Sequence, residues 1–174
     1  MSITPVLQPF LEGWATHQAL LRGSFADLTE EQLSLRPAPG HWAIWQLASH
    51  IALSRAYWMY DVLGEGDPAI RDMFRVTNTT VPDLAIENAG WEDDETHPRT
   101  AAELVGAFDA TWGLIEESVG RWTADDITAR IPQRGADRST TRGWVLWHLM
   151  EHDTHHGGAI SVILGTNGLP SPDL

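Results

Sequence analysis

Apolar residues recur every three or four positions in four long stretches of this chain, and that period is helical. The first stretch, from Pro5 to Asp27, puts Val6, Phe10, Trp14, His17 and Leu21 along one face. The second, from Trp42 to Leu63, aligns Leu47, His50, Ser54, Tyr57 and Asp61, with Gly64 placed as a C-cap. The third opens at Thr100, which stands three residues before Glu103 as in a capping box, and carries Leu104, Phe108, Trp112, Ile115 and Val119. The fourth runs from Arg142 to Leu164, with Gly165 as its expected stop. Thr29 with Gln32, and Thr123 with Asp126, predict two further short helical turns. Between the first two helices, Arg36-Pro37-Ala38-Pro39-Gly40 breaks the chain.

The stretch from Glu65 to Arg99 is rich in Pro, Gly, Asn and acids, and reads as a long irregular connection with at most a short helix from Asp67 to Phe74. Connections of this length usually carry function. Ile131 to Thr140 reads as a polar loop. No segment alternates with period two over strand length. The expected fold is therefore all-α: a four-helix bundle with long crossover connections and no sheet. At 174 residues the chain fits one domain, 1–174, with a substantial core.

Composition narrows the partners. The formal net charge is −13, and the eleven Lys and Arg are scattered, so a phosphate backbone would be repelled and nucleic acid is not an expected partner. No apolar run approaches a membrane span. There is no cysteine, which excludes disulfides, thiolate ligands and a Cys nucleophile. That absence suits a reducing compartment. With no basic, signal-length apolar segment in Met1 to Phe10, the expected location is cytoplasmic. Nine tryptophans are many for this length; large rings filling helix–helix contacts account for most of them, and any left on helix surfaces would suit self-association.

The candidate chemistry is histidine. Four of the eight histidines fall between His148 and His156, on the fourth helix. His152 and His156 are one turn apart, about 40° round from each other, and straddle the inward seam of Val145, Leu149, Ala159 and Ile163. Such a pair lets two imidazoles reach one metal ion. His50, flanked by Leu47, Ile51 and Ser54 on the second helix, can supply a third nitrogen. His148 and His155 lie on one flank of the seam; His17, His41 and His97 are weaker candidates. Any one of these could instead be an ordinary core histidine. Glu151, Asp153 and Asp61 are available to accept the second ring N–H of a ligand, or are simply solvated. Asp153 also stands where the general-base Glu of a zincin helix would be. It is one methylene short and points about 100° from His152, against that reading. Three imidazoles suit Zn, Ni, Fe or Cu, and leave a position open for water or substrate, as catalytic sites do.

Two stretches carry a family resemblance: Trp45-Gln46-Leu47-Ala48-Ser49-His50-Ile51 and Trp147 to Gly158, above all the Glu-His-Asp-x-His-His-Gly-Gly run that begins at Glu151. They resemble the DinB-like, YfiT-like superfamily of small helical metalloproteins. The resemblance implies an up-down-down-up four-helix bundle, often a homodimer, with metal ligands at His50, His152 and His156. Characterised relatives include S-transferases that use bacillithiol or mycothiol and a mycothiol-dependent isomerase. The expected function is thus a divalent-metal-dependent enzyme (Zn, Ni or Fe), a thiol-dependent S-transferase or hydrolase acting on a small molecule. A low-molecular-weight thiol would be its cosubstrate. The alternative is a non-catalytic metal- or ligand-binding stress protein; a third reading is a metal-free bundle with a histidine-rich polar core. Arg138 and Arg142 are open to two readings, as holders of an anionic substrate or as surface residues.

Overall fold

The computed structural model describes residues 5, 7–81, 86–132 and 139–174, and within 77–90 the backbone alone. Four long helices dominate: α1 (Gln8–Ala26), α3 (Ile44–Ala56), α5 (Ala101–Arg121) and α7 (Arg142–Thr166). Short helices α2 (Glu30–Leu33), α4 (Ala69–Asp72) and α6 (Ala124–Thr128) lie in the connections. All three sequence-predicted capping boxes form. The Oγ1 atoms of Thr29, Thr100 and Thr123 accept the backbone N–H groups of Gln32, Glu103 and Asp126, whose side chains reach back.

Neighbouring side chains give the helix directions. Trp14 meets Asp153 and Leu21 meets Gly157, so α1 and α7 run parallel. His50 meets His156 while Trp58 meets Trp144, so α3 and its extension run antiparallel to α7. Arg55 lies over Phe108, and Glu65 further along bonds Trp122, so α3 and α5 are parallel. The order is up-down-down-up in an all-α bundle. One apolar cluster gathers Leu21, Phe25, Ile51, Phe108 and Ile160; a second gathers Trp14, Met59, Ile115, Val145 and Leu149. Gly157 permits the close approach of α1 to α7. A Cβ there would stand 3.3 Å from Leu21 Cδ2 and 3.2 Å from Leu174 Cδ1.

Three details depart from the sequence expectation. The second helix does not end as α-helix: Tyr57–Val62 is π-helical, with the Leu63 N–H bonding the Trp58 carbonyl at 3.0 Å, before Gly64 turns the chain at φ +71°. The last helix passes through Gly165 and stops in a Schellman arrangement at Gly168 (φ +70°), where Leu169 N–H bonds Leu164 O at 3.0 Å.

The third correction concerns the expected absence of a sheet. The long crossover holds an antiparallel ribbon, β1 (Thr77–Val81) with β2 (Ile86–Glu92). A smaller one pairs β3 (Arg130–Pro132) with β4 (Ser139–Thr141). β1 is irregular between Thr79 and Val81, which hides any period of two. Its β-branched run Val76-Thr77-Asn78-Thr79-Thr80-Val81 was the available signal. Val6 and Arg138 lie outside the described residues. No helix among the described residues is long and apolar enough to cross a membrane.

Candidate metal centre

α3 and α7 present their histidines to each other because their apolar faces pack. Ile51, Leu47 and Ala48 on α3, with Leu149, Ile160 and Ile163 on α7, are all buried, which turns His50, His152 and His156 toward the seam between the helices. The His50 and His152 Nε2 atoms face each other at 3.0 Å. One ring nitrogen from each of His50, His152 and His156 lies within 4.8 Å of the others. Ring centroids are 4.8 Å apart for His50 and His152, 4.9 Å for His50 and His156, and 4.4 Å for His152 and His156. Two nitrogens held about 2.05 Å from one tetrahedral ion stand about 3.4 Å apart, so this spacing fits a shared metal. Among the described residues this is the group that could hold one.

The electrostatics agree. Burial, then the nearby His156, holds the His50 pKa down to about 4. Burial, then the surrounding imidazoles, holds His152 down to about 3. His156 is lowered by burial and by His155, partly opposed by Asp153 and Glu151. The rings therefore remain neutral at pH 7, the state a ligand requires. Trp42 closes one side, 4.7 Å from His50 and 6.0 Å from His156 by ring centroids. A cavity of about 110 Å³ adjoins His50, walled by Trp42, Trp45 and Leu53 and by the acidic run 92–95 at the end of the long crossover. In that run Asp93 accepts from Ser49 on α3 and from Arg99 at 2.9 Å, which fixes the crossover against the helix. Burial pushes the Asp93 carboxyl up, but these partners outweigh it and its pKa lies below the ordinary value.

The remaining histidines fall elsewhere. His148 stacks on Trp144 at 4.9 Å, packs against Trp58 and sits 3.7 Å from Glu151; its ring is 6.0 Å from that of His152. His155 is exposed beside His156. His41 is exposed, and His97 bonds Asp94 and Thr96 at the surface. The buried Nε2 of His17 has no hydrogen-bond partner among the described residues; it packs over Gly157.

The carboxylates considered for the second ring nitrogens are placed differently. Asp153 is not solvated. It is fully buried in an ion pair with Arg55 at 2.6 Å, which also removes it as a zincin-type base. Glu151 faces His148, Asp61 lies beside Tyr57, and the buried His152 Nδ1 meets no acceptor among the described residues. Arg142 does not await an anion. It pairs with Glu65 at 3.2 Å and lies over the Trp122 ring.

Sequence reading missed Arg55 and Trp42. Arg55 had a signal: it is a charge between Leu53 and Ala56 on a helix otherwise apolar on that side, and such a charge needs a buried partner. Trp42 precedes its helix and reaches the site only through the turn that leads into α3.

Comparisons with known proteins fit this picture. A DinB-like protein from Bacillus cereus ATCC 10987 superposes with a TM-score of 0.69 at 22% identity, over 97% of each chain. A conserved protein from Enterococcus faecalis gives 0.63 at 13% identity, over 93% of this chain and 99% of that one. A DinB-like protein from Bacillus subtilis gives 0.60 at 15% identity, over 91% of each. At these identities they establish the fold. No curated protein matches. The family model of the DinB superfamily matches residues 14–160, and the chain therefore belongs to that superfamily.

Proposed function

We propose that the chain is a divalent-metal-dependent enzyme, one domain over residues 1–174, with His50, His152 and His156 as the ligands of one Zn, Ni or Fe ion. The observation that carries this reading is the convergence of the three imidazoles, with the His50 and His152 Nε2 atoms 3.0 Å apart and His50 lining a cavity. When bound, such an ion supplies Lewis acidity toward a water or thiol and leaves a coordination position free of protein. The chain supplies the rest. Burial keeps the imidazoles neutral and available. Trp42, Trp45 and Leu53 make the cavity wall beside His50 largely apolar, while the run 92–95 bounds what can enter. With no cysteine in the sequence, any thiolate must come from a cosubstrate. We assign the reaction to transfer onto such a thiol, or hydrolysis, of a small molecule in the cytoplasm, by a homodimer.

Elemental analysis of untagged protein is the first test. About one equivalent of a transition metal is expected. His152→Ala should lose tight binding, by roughly 100-fold or more, and His97→Ala should retain it. Equal metal content in wild type and His152→Ala overturns the ligand assignment. Assaying the loaded protein with low-molecular-weight thiols and electrophiles, beside His156→Ala, then separates an enzyme from a non-catalytic metal-binding stress protein, which shows no turnover.

A further inference from the structure

One residue beyond His152, α7 carries a buried carboxylate, and five residues beyond His50, α3 carries a buried guanidinium; the two meet in the bundle interior. Arg55 and Asp153 are both 0% exposed. Arg55 Nε donates to Asp153 Oδ2 at 3.0 Å and its Nη2 donates to the same oxygen at 2.6 Å. The Trp14 indole N–H of α1 donates to that oxygen at 2.7 Å. Arg55 Nη1 donates to Gln18 Oε1 of α1 at 2.6 Å, and its guanidinium lies 4.8 Å over the Phe108 ring of α5. One polar network thus touches all four long helices, at the level where the histidines converge.

Stability alone is a poor account of it. Replacing a buried ion pair by apolar side chains of similar volume is often neutral or stabilising. What a forked, hydrogen-bonded pair supplies is direction, because two N–H groups and one carboxylate align in a single arrangement. Direction matters here. An imidazole nitrogen stands roughly 6 Å from its helix axis, so turning α7 by about 10° moves it about 1 Å. Metal ligation tolerates deviations of about 0.2 Å. Interdigitated apolar side chains set helix rotation less sharply, and the His152 Nδ1 has no acceptor among the described residues to orient its own ring.

We infer that Arg55 and Asp153 are positioning residues for the metal centre: their buried fork fixes the rotation and register of α7 against α3, so that His50, His152 and His156 converge. The inference rests on the three-histidine reading above. It separates a role in ligand geometry from a role in folding.

The test is a Co²⁺ titration followed by visible absorption, beside thermal unfolding of the metal-free protein. Wild type is expected to bind one Co²⁺ with a defined d–d band pattern. The double variant Arg55→Met/Asp153→Leu fills the volume without the fork. It should keep its helical circular dichroism and remain folded at the titration temperature, with a lowered midpoint because the buried Trp14 N–H and Gln18 Oε1 lose these partners. It should bind Co²⁺ at least about tenfold more weakly, with shifted bands. A core control, Leu104→Ala, should lower the unfolding midpoint while its bands stay at wild-type positions.

A folded double variant with wild-type affinity and spectrum overturns the inference and leaves the metal reading intact. A wild type that binds no Co²⁺ overturns the metal reading, and this one with it. Should the double variant fail to fold, Arg55→Lys decides by the same two criteria, because it keeps the charge and loses the fork.

Discussion

At the scale of single residues, the charges matter most where water is absent. Removing one partner of the Arg55–Asp153 pair leaves the other buried and uncompensated. Asp153→Ala should therefore destabilise the protein by roughly 3–5 kcal/mol, measured by denaturant unfolding, far more than an exposed salt-bridge deletion such as Asp109→Ala. A loss of under about 1 kcal/mol would show that the pair is not desolvated as the structure places it.

The histidines give a pH dependence of known sign. His50 and His152 fall from 6.5 to about 4 and about 3 on folding. Between those values and 6.5 the unfolded chain binds more protons than the folded one, so stability rises with pH through this window and levels off above it. Metal-free protein should lose stability from pH 7 to pH 4.5, and His152→Ala should flatten that slope. An unchanged slope in the variant would contradict the burial of His152. Among these residues, the histidines were legible in the sequence, because imidazoles four apart on a helix announce a shared direction. The role of Asp153 was not, because its neighbour in sequence points elsewhere and its partner lies 98 residues away.

At the scale of elements, local signals were read well and non-local pairing was not. The capping boxes at Thr29, Thr100 and Thr123 form because each needs only a hydroxyl and a side chain three residues on. Thr100→Ala should cost about 1 kcal/mol and lower the thermal midpoint by about 2–4 °C. No shift in the midpoint would mean that α5 is held by packing alone. The ribbon of β1 and β2 depends instead on the pairing of two separate segments of the crossover, and its irregular register leaves no alternation to detect. The π-helix Tyr57–Val62 was equally hidden. Within it, Trp58 packs against Trp144 and His148 on α7, contacts that the local sequence does not announce.

At the scale of the whole molecule, the outer face of α7 stands out. Trp144 is 42% exposed, Trp147 56% and Val162 61%. Seven of the nine indoles are buried or half-buried, so those left on a helix surface are these two. The proposed homodimer would cover such a face. Sedimentation at micromolar concentration should give about twice 19.3 kDa, and Trp147→Asp should shift the mass toward the monomer. A wild-type mass of 19.3 kDa would refute the dimer.

The sequence by itself determined the four helices, the three capping boxes, the all-α class and the histidines that face inward, because periodicity and capping are local properties of a chain. Tertiary structure alone decided that His50 meets His152 and His156 and that Arg55 rather than solvent answers Asp153. It also decided that Trp42 and the run 92–95 wall the cavity. Those pairings join residues far apart in the chain, and they exist only once the packing of α3 against α7 has fixed which faces meet.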